Sequence, residues 1–151
     1  MAISADIVKA LRDKTGVSVM ECKKALEEAG GDMEKALEVL SSRAAAAVGK
    51  KADRTLGAGA VAAYVHNTKQ VGAMLMLACE TDFVAKGDEF TQLAYDIAMH
   101  AAAMKPETVE DLVAQPYIKD PSKTVADLLA GATQKFGERI EIGKFAFFSV
   151  V

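Results

Sequence analysis

Residues 59–79 read GAVAAYVHNTKQVGAMLMLAC, and this stretch decides the class of fold. Two apolar runs, GAVAAYVH and VGAMLMLAC, flank the polar tetrapeptide NTKQ. Apolar runs of strand length on both sides of a short polar turn are typical of a β-hairpin. The second run is almost entirely apolar, which indicates a heavily buried strand.

A strongly periodic segment follows the hairpin. Apolar residues recur there at helical spacing, namely Phe90, Leu93, Ala94, Ile97, Ala98 and Ala101. The pattern predicts an amphipathic helix that begins near Asp88. Thr124 and Asp127 then form a possible capping box for a second helix, which Gly137 would end. The tail ERIEIGKFAFFSVV has the composition of a third strand that could join the hairpin, so we predict an α+β core with a three-stranded antiparallel sheet packed by helices.

The N-terminal part of the chain carries a different pattern, that of three short amphipathic helices. Ser4, Ser18 and Asp32 each occupy an N-cap position ahead of an apolar stripe. Gly30 and Gly31 supply the stop after the second helix. We therefore predict a small three-helix bundle, which suits an attachment module better than an enzyme because so short a chain buries little surface.

The segment 41–54 joins the two patterns. It is rich in alanine and contains four basic residues, which indicates a helical extension that becomes a linker. We therefore expect an N-terminal three-helix domain with its linker over 1–54 and a core domain over 55–151.

The balance of charges excludes a strongly basic protein. The chain has 18 Lys and Arg residues against 21 Asp and Glu residues, a net charge of −3 at pH 7. No overall positive field favours nucleic acid, so we expect no direct nucleic-acid binding. Asp6 and Lys9 interrupt the N-terminal apolar residues, and no run approaches the ~18 apolar residues of a membrane helix. We therefore expect a cytoplasmic protein without a membrane contact.

The residues that could carry chemistry are few. Cys22 and Cys79 belong to no C-x-x-C pair, and neither His66 nor His100 has metal-ligand spacing with them. We expect free thiols, no metal and no catalytic residue. A catalytic group can be imagined in which Cys79 is the nucleophile, Asp82 the orienting residue and His66 the base. The favoured interpretation is that Cys79 is a buried cysteine that packs as a small hydrophobic residue. His100 is expected to be a partly buried helix residue.

Two further patterns could indicate phosphate binding. Gly57 and Gly59 lie before a strand pattern, whereas a dinucleotide fingerprint follows a strand and opens a helix, so we expect no nucleotide cofactor. The basic residues of the linker segment are Arg43, Lys50, Lys51 and Arg54. They lack interleaved aromatic residues, and a solvated linker face is the favoured interpretation over RNA binding.

Residues 79–89 read CETDFVAKGDE and place Phe83 among charged residues at an apparent connection. Composition alone favours a hydrophobic plug between the strand end and the following helix. The alternative is an exposed aromatic side chain that inserts into a partner's pocket, as interface hot spots do.

Three motifs, in this order, are LRDKTGVSVMECKKALEEAGGDMEKAL, CETDFVAK and QPYIKDPSKTV. Together they make the chain resemble bacterial elongation factor Ts. The resemblance implies a helical domain similar to a ubiquitin-associated fold, followed by the α+β core. It also implies a guanine nucleotide exchange factor that releases GDP from elongation factor Tu in translation, without bond-making or bond-breaking chemistry.

The resemblance implies two sets of site residues. The set that would displace the partner's magnesium ion is Thr81, Asp82, Phe83 and Val84. The set that would bind the partner's nucleotide-binding domain is Arg12, Val19, Met20 and Lys23. Val19 departs from the methionine often found in the family, and Ala78 departs from a polar residue.

The chain also departs from the family in length. Residues 105–112 run almost directly into the QPYIKDP segment, where longer members carry a second core half and a helical insertion. We therefore predict a non-covalent homodimer, formed through the sheet or the C-terminal strand. A further hypothesis from the missing insertion is that the protein binds its partner but exchanges nucleotide poorly. A different class of function also remains open, that of an adaptor whose three-helix module binds a peptide or a ubiquitin-like partner.

Overall fold

A computed structural model describes residues 2–151 and divides the chain between two units. The first unit runs to Ala52 and also includes Ala130–Gly137. The second unit holds Asp53–Leu129 and Glu138–Val151. Mixed helices and an antiparallel sheet confirm the predicted α+β class. The domain boundary near residue 54 stays a prediction.

Three helices form the N-terminal part of the first unit. They are α1 (Ala5–Thr15), α2 (Val19–Glu28) and α3 (Met33–Lys50). The side chains of Ser4, Ser18 and Asp32 each accept a backbone N–H of the first helical turn, so all three predicted caps are present. Gly30 and Gly31 follow α2 with φ angles of 62° and 86°, which glycine adopts without strain.

Arg43 connects α3 to α2 through ion pairs. Its guanidinium donates to Glu21 Oε2 at 2.9 Å and also to Glu28 Oε1. The Arg43 side chain is only 28% exposed. The interpretation of Arg43 as part of a solvated linker face is therefore wrong, because the helical extension brings it back over α2.

The second unit contains the predicted three-stranded antiparallel sheet. Its strands are β1 (Ala58–Val65), β2 (Val71–Cys79) and β5 (Glu141–Ser149), in the order β1-β2-β5. Leu75 of β2 pairs with Ala62 on one side and Phe145 on the other. β2 is the central strand, and Ala73, Leu75 and Leu77 along it are buried on one face of the sheet.

Four helices and a short hairpin complete the chain. They are α4 (Asp82–Ala85), α5 (Asp88–Met104), α6 (Val109–Ala114), β3 (Pro116–Tyr117), β4 (Asp120–Thr124) and α7 (Val125–Phe136). The helix predicted from Asp88 is confirmed, and it packs against β1 and β2. Phe90, Leu75 and Leu77 are fully buried in this unit. Thr124 and Asp127 form the expected capping box, each side chain accepting the other's backbone N–H.

His100 joins α5 to the β3–β4 hairpin. The Ile118 N–H donates to its Nδ1 at 3.1 Å, so the ring proton sits on Nε2, which donates to Gln115 Oε1 at 2.9 Å. The ring is fully buried, whereas the sequence suggested partial burial. That expectation is wrong because the hairpin covers the end of α5.

One face of the sheet carries exposed apolar side chains. We define the open sheet face by Val61, Val65, Met74, Met76 and Phe148. The register places them together, since Val61 pairs with Met76 and Gly72 pairs with both Val65 and Phe148. All but Met76 are more than half exposed. Along each strand they alternate with more buried residues, so they point away from the core.

Candidate functional site

The most exposed aromatic residue lies on a single helical turn after the central strand. We call Thr81–Val84 the TDFV turn. Thr81 is extended and caps α4, its Oγ1 accepting the Val84 N–H at 3.4 Å. The Lys86 N–H donates to Asp82 O at 3.0 Å, and this bond closes the turn. Val84 and Ala85 are buried and anchor α4 to the rest of the unit.

Phe83 points into solvent, with 90% of its surface exposed. The hydrophobic-plug interpretation is therefore wrong. Burying a phenylalanine side chain is worth about 1.5–3 kcal/mol, and the isolated fold forgoes that stabilisation here. An exposed aromatic residue on an anchored turn has the character of an interface hot spot.

The TDFV turn brings its four residues together but exposes only three of them to solvent. Thr81, Asp82 and Phe83 are exposed, whereas Val84 is 9% exposed and faces inward. A partner could therefore contact the first three directly. Val84 does not contact the partner in this arrangement, and its burial fixes the turn that carries the other three residues.

The Glu138 carboxylate holds the start of the TDFV turn. Its Oε1 accepts the backbone N–H groups of Glu80 and Thr81, at 3.1 and 3.0 Å. Its Oε2 accepts the Thr81 hydroxyl proton at 2.6 Å. Sequence reasoning missed Glu138, although it stands in the tail next to the helix stop Gly137. No local pattern links it to Thr81, because only the β2–β5 pairing brings the two segments together.

Cys79 is not a nucleophile in this fold. Its thiol is buried and donates to Thr81 O at 3.3 Å. Burial, followed by the nearby Glu138 carboxylate, raises the pKa of Cys79, so the thiol stays protonated at neutral pH. His66 follows β1, whose first residue is the one that pairs with Cys79. Because β1 is eight residues long, the two side chains stand at opposite ends of the hairpin, and the imagined catalytic group is wrong.

Gly59 has a structural role rather than a ligand-binding one. A Cβ atom at this position would lie 2.4 Å from the carbonyl oxygen of Leu77 in the neighbouring strand. No side chain other than hydrogen fits there without moving the backbone. The glycine therefore permits close approach of β1 to β2.

The second predicted set of site residues lies on the first unit. Val19 and Met20 begin α2 and are more than half exposed. Lys23 is exposed one turn further along, where Val19 and Lys23 share a helix face. Arg12 is exposed in the last turn of α1. These side chains are two exposed apolar and two exposed basic residues, on a unit different from the one that carries Phe83.

Two structural features associated with other functions are absent from residues 2–151. No group of three or more His, Cys, Asp or Glu residues is arranged there to hold a metal ion. Within the same range, no helix combines the length and the apolarity that crossing a membrane requires.

Comparison with known proteins gives a consistent result. Residues 80–150 match the family model described as Elongation factor TS. A protein named Elongation factor Ts from Thermotoga petrophila is 46% identical over 153 positions, which cover 93% of this chain and 77% of that protein. The protein of the same name from Thermosipho melanesiensis is 40% identical over 193 positions, covering 98% of each chain.

A third relative shows that the aligned region is longer than this chain. Elongation factor Ts from Carboxydothermus hydrogenoformans is 40% identical over 193 positions, covering 98% of this chain and 89% of that protein. An alignment of 193 positions exceeds the 151 residues of this chain. The relative therefore has residues that stand opposite gaps in this chain.

Proposed function

This chain belongs to the elongation factor Ts family of translation elongation factors, and we propose from that premise that it is a guanine nucleotide exchange factor for elongation factor Tu. It binds the GDP-bound partner, promotes release of GDP and leaves the nucleotide-free complex. The activity breaks no covalent bond and takes place in the cytoplasm. The observation that carries the proposal is Phe83, which is 90% exposed on an anchored turn.

The TDFV turn acts by displacing magnesium. Phe83 inserts beside the nucleotide site of the partner, while Asp82 and Thr81 supply polar contacts at its base. A bound divalent cation is the largest local positive charge that holds a nucleotide's phosphates. Dislodging the cation weakens GDP binding without any contact to the base. Val84 contributes through the anchoring of the turn.

The first unit supplies affinity for the partner. Val19 and Met20 provide exposed apolar surface, and Arg12 and Lys23 provide positive charge around it. An apolar centre with a charged rim is the usual composition of a transient protein interface. This set contacts the nucleotide-binding domain of Tu. Exchange is then reciprocal, because a factor that weakens GDP binding is itself bound more weakly when GDP is present.

A second copy of the chain covers the open sheet face. Val61 and Phe148 are exposed apolar residues on opposite edge strands of one sheet, so the surface extends across all three strands. A two-fold axis pairs such a patch with itself. The chain also lacks residues that its relatives have, and the second copy replaces the core surface that they supply.

Release of a fluorescent GDP from elongation factor Tu tests the proposal. We expect the intact protein to accelerate release and Phe83→Ala to lose most of the acceleration. Ile118→Ala is the matched control, because Ile118 is also an exposed apolar residue of the second unit. Circular dichroism establishes that each variant is folded. No acceleration by the intact protein would contradict the proposal.

The adaptor function is the second candidate. The exposed pair Val19 and Met20 favours it, because such a pair can bind a partner without any contribution from Phe83. The three-helix module would then bind a peptide or a ubiquitin-like protein, and the intact chain would leave GDP release unchanged. Binding measured together with GDP release therefore distinguishes the adaptor from the exchange factor.

A further inference from the structure

We propose that Glu138 is a positioning residue for exchange, which holds the TDFV turn in the conformation that presents Phe83. The inference rests on the proposed function of that turn. Glu138 itself is not expected to touch the partner's nucleotide. Its effect passes through Thr81, which it contacts with both carboxylate oxygens.

The hydrogen bonds form a continuous chain from Glu138 to the helical turn. The Thr81 hydroxyl donates its only proton to Glu138 Oε2, which leaves the oxygen lone pairs free to accept the Val84 N–H. Glu138 therefore fixes the direction in which Thr81 caps α4. The bond from the Thr81 hydroxyl is short, at 2.6 Å, and its carboxylate acceptor makes it stronger than a bond between neutral groups.

Glu80 and Arg139 form a second connection between the same two segments. The Glu80 N–H donates to Glu138, and the Arg139 N–H donates to Glu80 Oε2 at 2.6 Å. Regular β2–β5 pairing ends with Ala78 and Glu141. Beyond that pair, side-chain carboxylates take over the role of backbone carbonyl groups. The TDFV turn is thereby held by the segment that precedes β5, in addition to the bonds of its own helical turn.

The four-residue helix α4 needs this support. A single helical turn is unstable by itself, because several dihedral angles are fixed for each hydrogen bond gained. Without Glu138, the turn would sample conformations in which Phe83 is misdirected. Binding of Phe83 to its pocket would then include the cost of ordering the turn. Affinity supplied by Val19 and Met20 would be unaffected.

The test measures the rate of fluorescent GDP release as the concentration of the exchange factor is raised. We expect Glu138→Ala to lower the maximal rate roughly tenfold, the size expected when charge-assisted hydrogen bonds are lost. The half-saturating concentration should change less than about twofold, since the first unit sets it. Glu107→Ala is the control, because Glu107 is an exposed carboxylate outside both site sets.

Glu138→Gln tests the chemistry of the contact. Its amide oxygen can still accept both backbone N–H groups, so we expect it to recover most of the maximal rate. Amide hydrogen exchange supplies a readout independent of the partner. The Thr81 and Val84 N–H groups should exchange faster in Glu138→Ala, and slower again in Glu138→Gln. Where Glu138→Ala does not fold, Glu138→Gln is compared with the intact protein alone. It loses the carboxylate acceptor of the Thr81 hydroxyl, so its maximal rate should lie measurably below that of the intact protein, and an equal rate would overturn the role of Glu138.

The outcomes separate this inference from the proposed function. Acceleration by the intact protein and an equal maximal rate with folded Glu138→Ala would overturn the role of Glu138 alone. A change confined to the half-saturating concentration would also overturn it. No acceleration by the intact protein would overturn the proposed function and this inference together.

Discussion

Phe83 and Val84 are neighbours in the chain, yet Phe83 is 90% exposed and Val84 is 9% exposed. The α4 turn produces this difference, because successive residues of a helix point about 100° apart. One residue is therefore available to a partner and the other holds the turn in place. Substitution of Val84 should therefore mainly lower stability, and substitution of Phe83 should mainly lower exchange.

We predict that Val84→Ala lowers the free energy of unfolding by about 1–2 kcal/mol, since it removes buried methyl groups. Phe83→Ala should change that free energy by less than ~0.5 kcal/mol, because the ring contacts mainly solvent. Urea denaturation followed by circular dichroism measures both. A larger loss of stability for Phe83→Ala than for Val84→Ala would contradict the assignment of the two roles.

Arg43→Ala should destabilise the protein by about 0.5–1 kcal/mol, because two partly exposed ion pairs with Glu21 and Glu28 are lost. Salt screens such pairs, so the difference from the intact protein should shrink at high salt. Urea denaturation at low and at high ionic strength measures this. Lys9→Ala, at an exposed position of α1, serves as the control. A difference that does not depend on salt would indicate lost packing rather than lost charge.

His100 should make stability depend on pH. Burial lowers the pKa of His100 below its usual 6.5, although the hydrogen bond to Gln115 acts in the opposite direction. Between the folded and unfolded pKa values the unfolded chain binds a proton that the folded chain does not, so stability rises with pH there. The contribution is complete above about pH 6.5 and is lost as pH falls through the folded pKa.

Urea denaturation between pH 8 and pH 5 should show this loss in the intact protein and a smaller one in His100→Gln. Glutamine can still accept the Ile118 N–H and does not titrate. Tyr117, whose ring packs against His100, has its pKa raised to about 12 by burial and does not titrate in this range. Parallel pH profiles for the two proteins would exclude His100 as the cause.

We predict that Phe148→Glu disrupts the proposed homodimer, because it places a charge within an apolar contact. The mass measured by light scattering should fall from that of two chains to that of one. Ile118→Glu adds the same charge to an exposed apolar position away from the open sheet face and should leave the mass unchanged. A single-chain mass for the intact protein would refute the homodimer.

Sequence periodicity was sufficient for the long elements. The two apolar runs around the turn NTKQ predicted β1 and β2, and the helical spacing from Phe90 onward predicted α5, because many residues encode each of these elements together. The pair β3 and β4 was missed because Pro116 and Pro121 indicate a loop. A two-stranded ribbon has only edge strands, and a proline is tolerated there.

The candidate site was less accessible to sequence reasoning. Phe83 is exposed because the two residues that follow it, Val84 and Ala85, are buried. Their burial fixes the orientation of the turn and therefore the direction of the ring. Composition favoured a buried ring because aromatic residues are buried on average. The contact between Glu138 and Thr81 joins positions 57 apart in sequence, so it follows only from the strand register.

The burial of Cys22 and Cys79 has a practical consequence. A maleimide dye reacts with an accessible thiolate, so both native cysteines should stay unlabelled in the folded protein. A cysteine introduced at an exposed position of either unit would then be the one attachment point. Two such cysteines, one on each unit, would carry a donor and an acceptor dye. Energy transfer between them would report the separation of the two units in solution, both before and after elongation factor Tu is added.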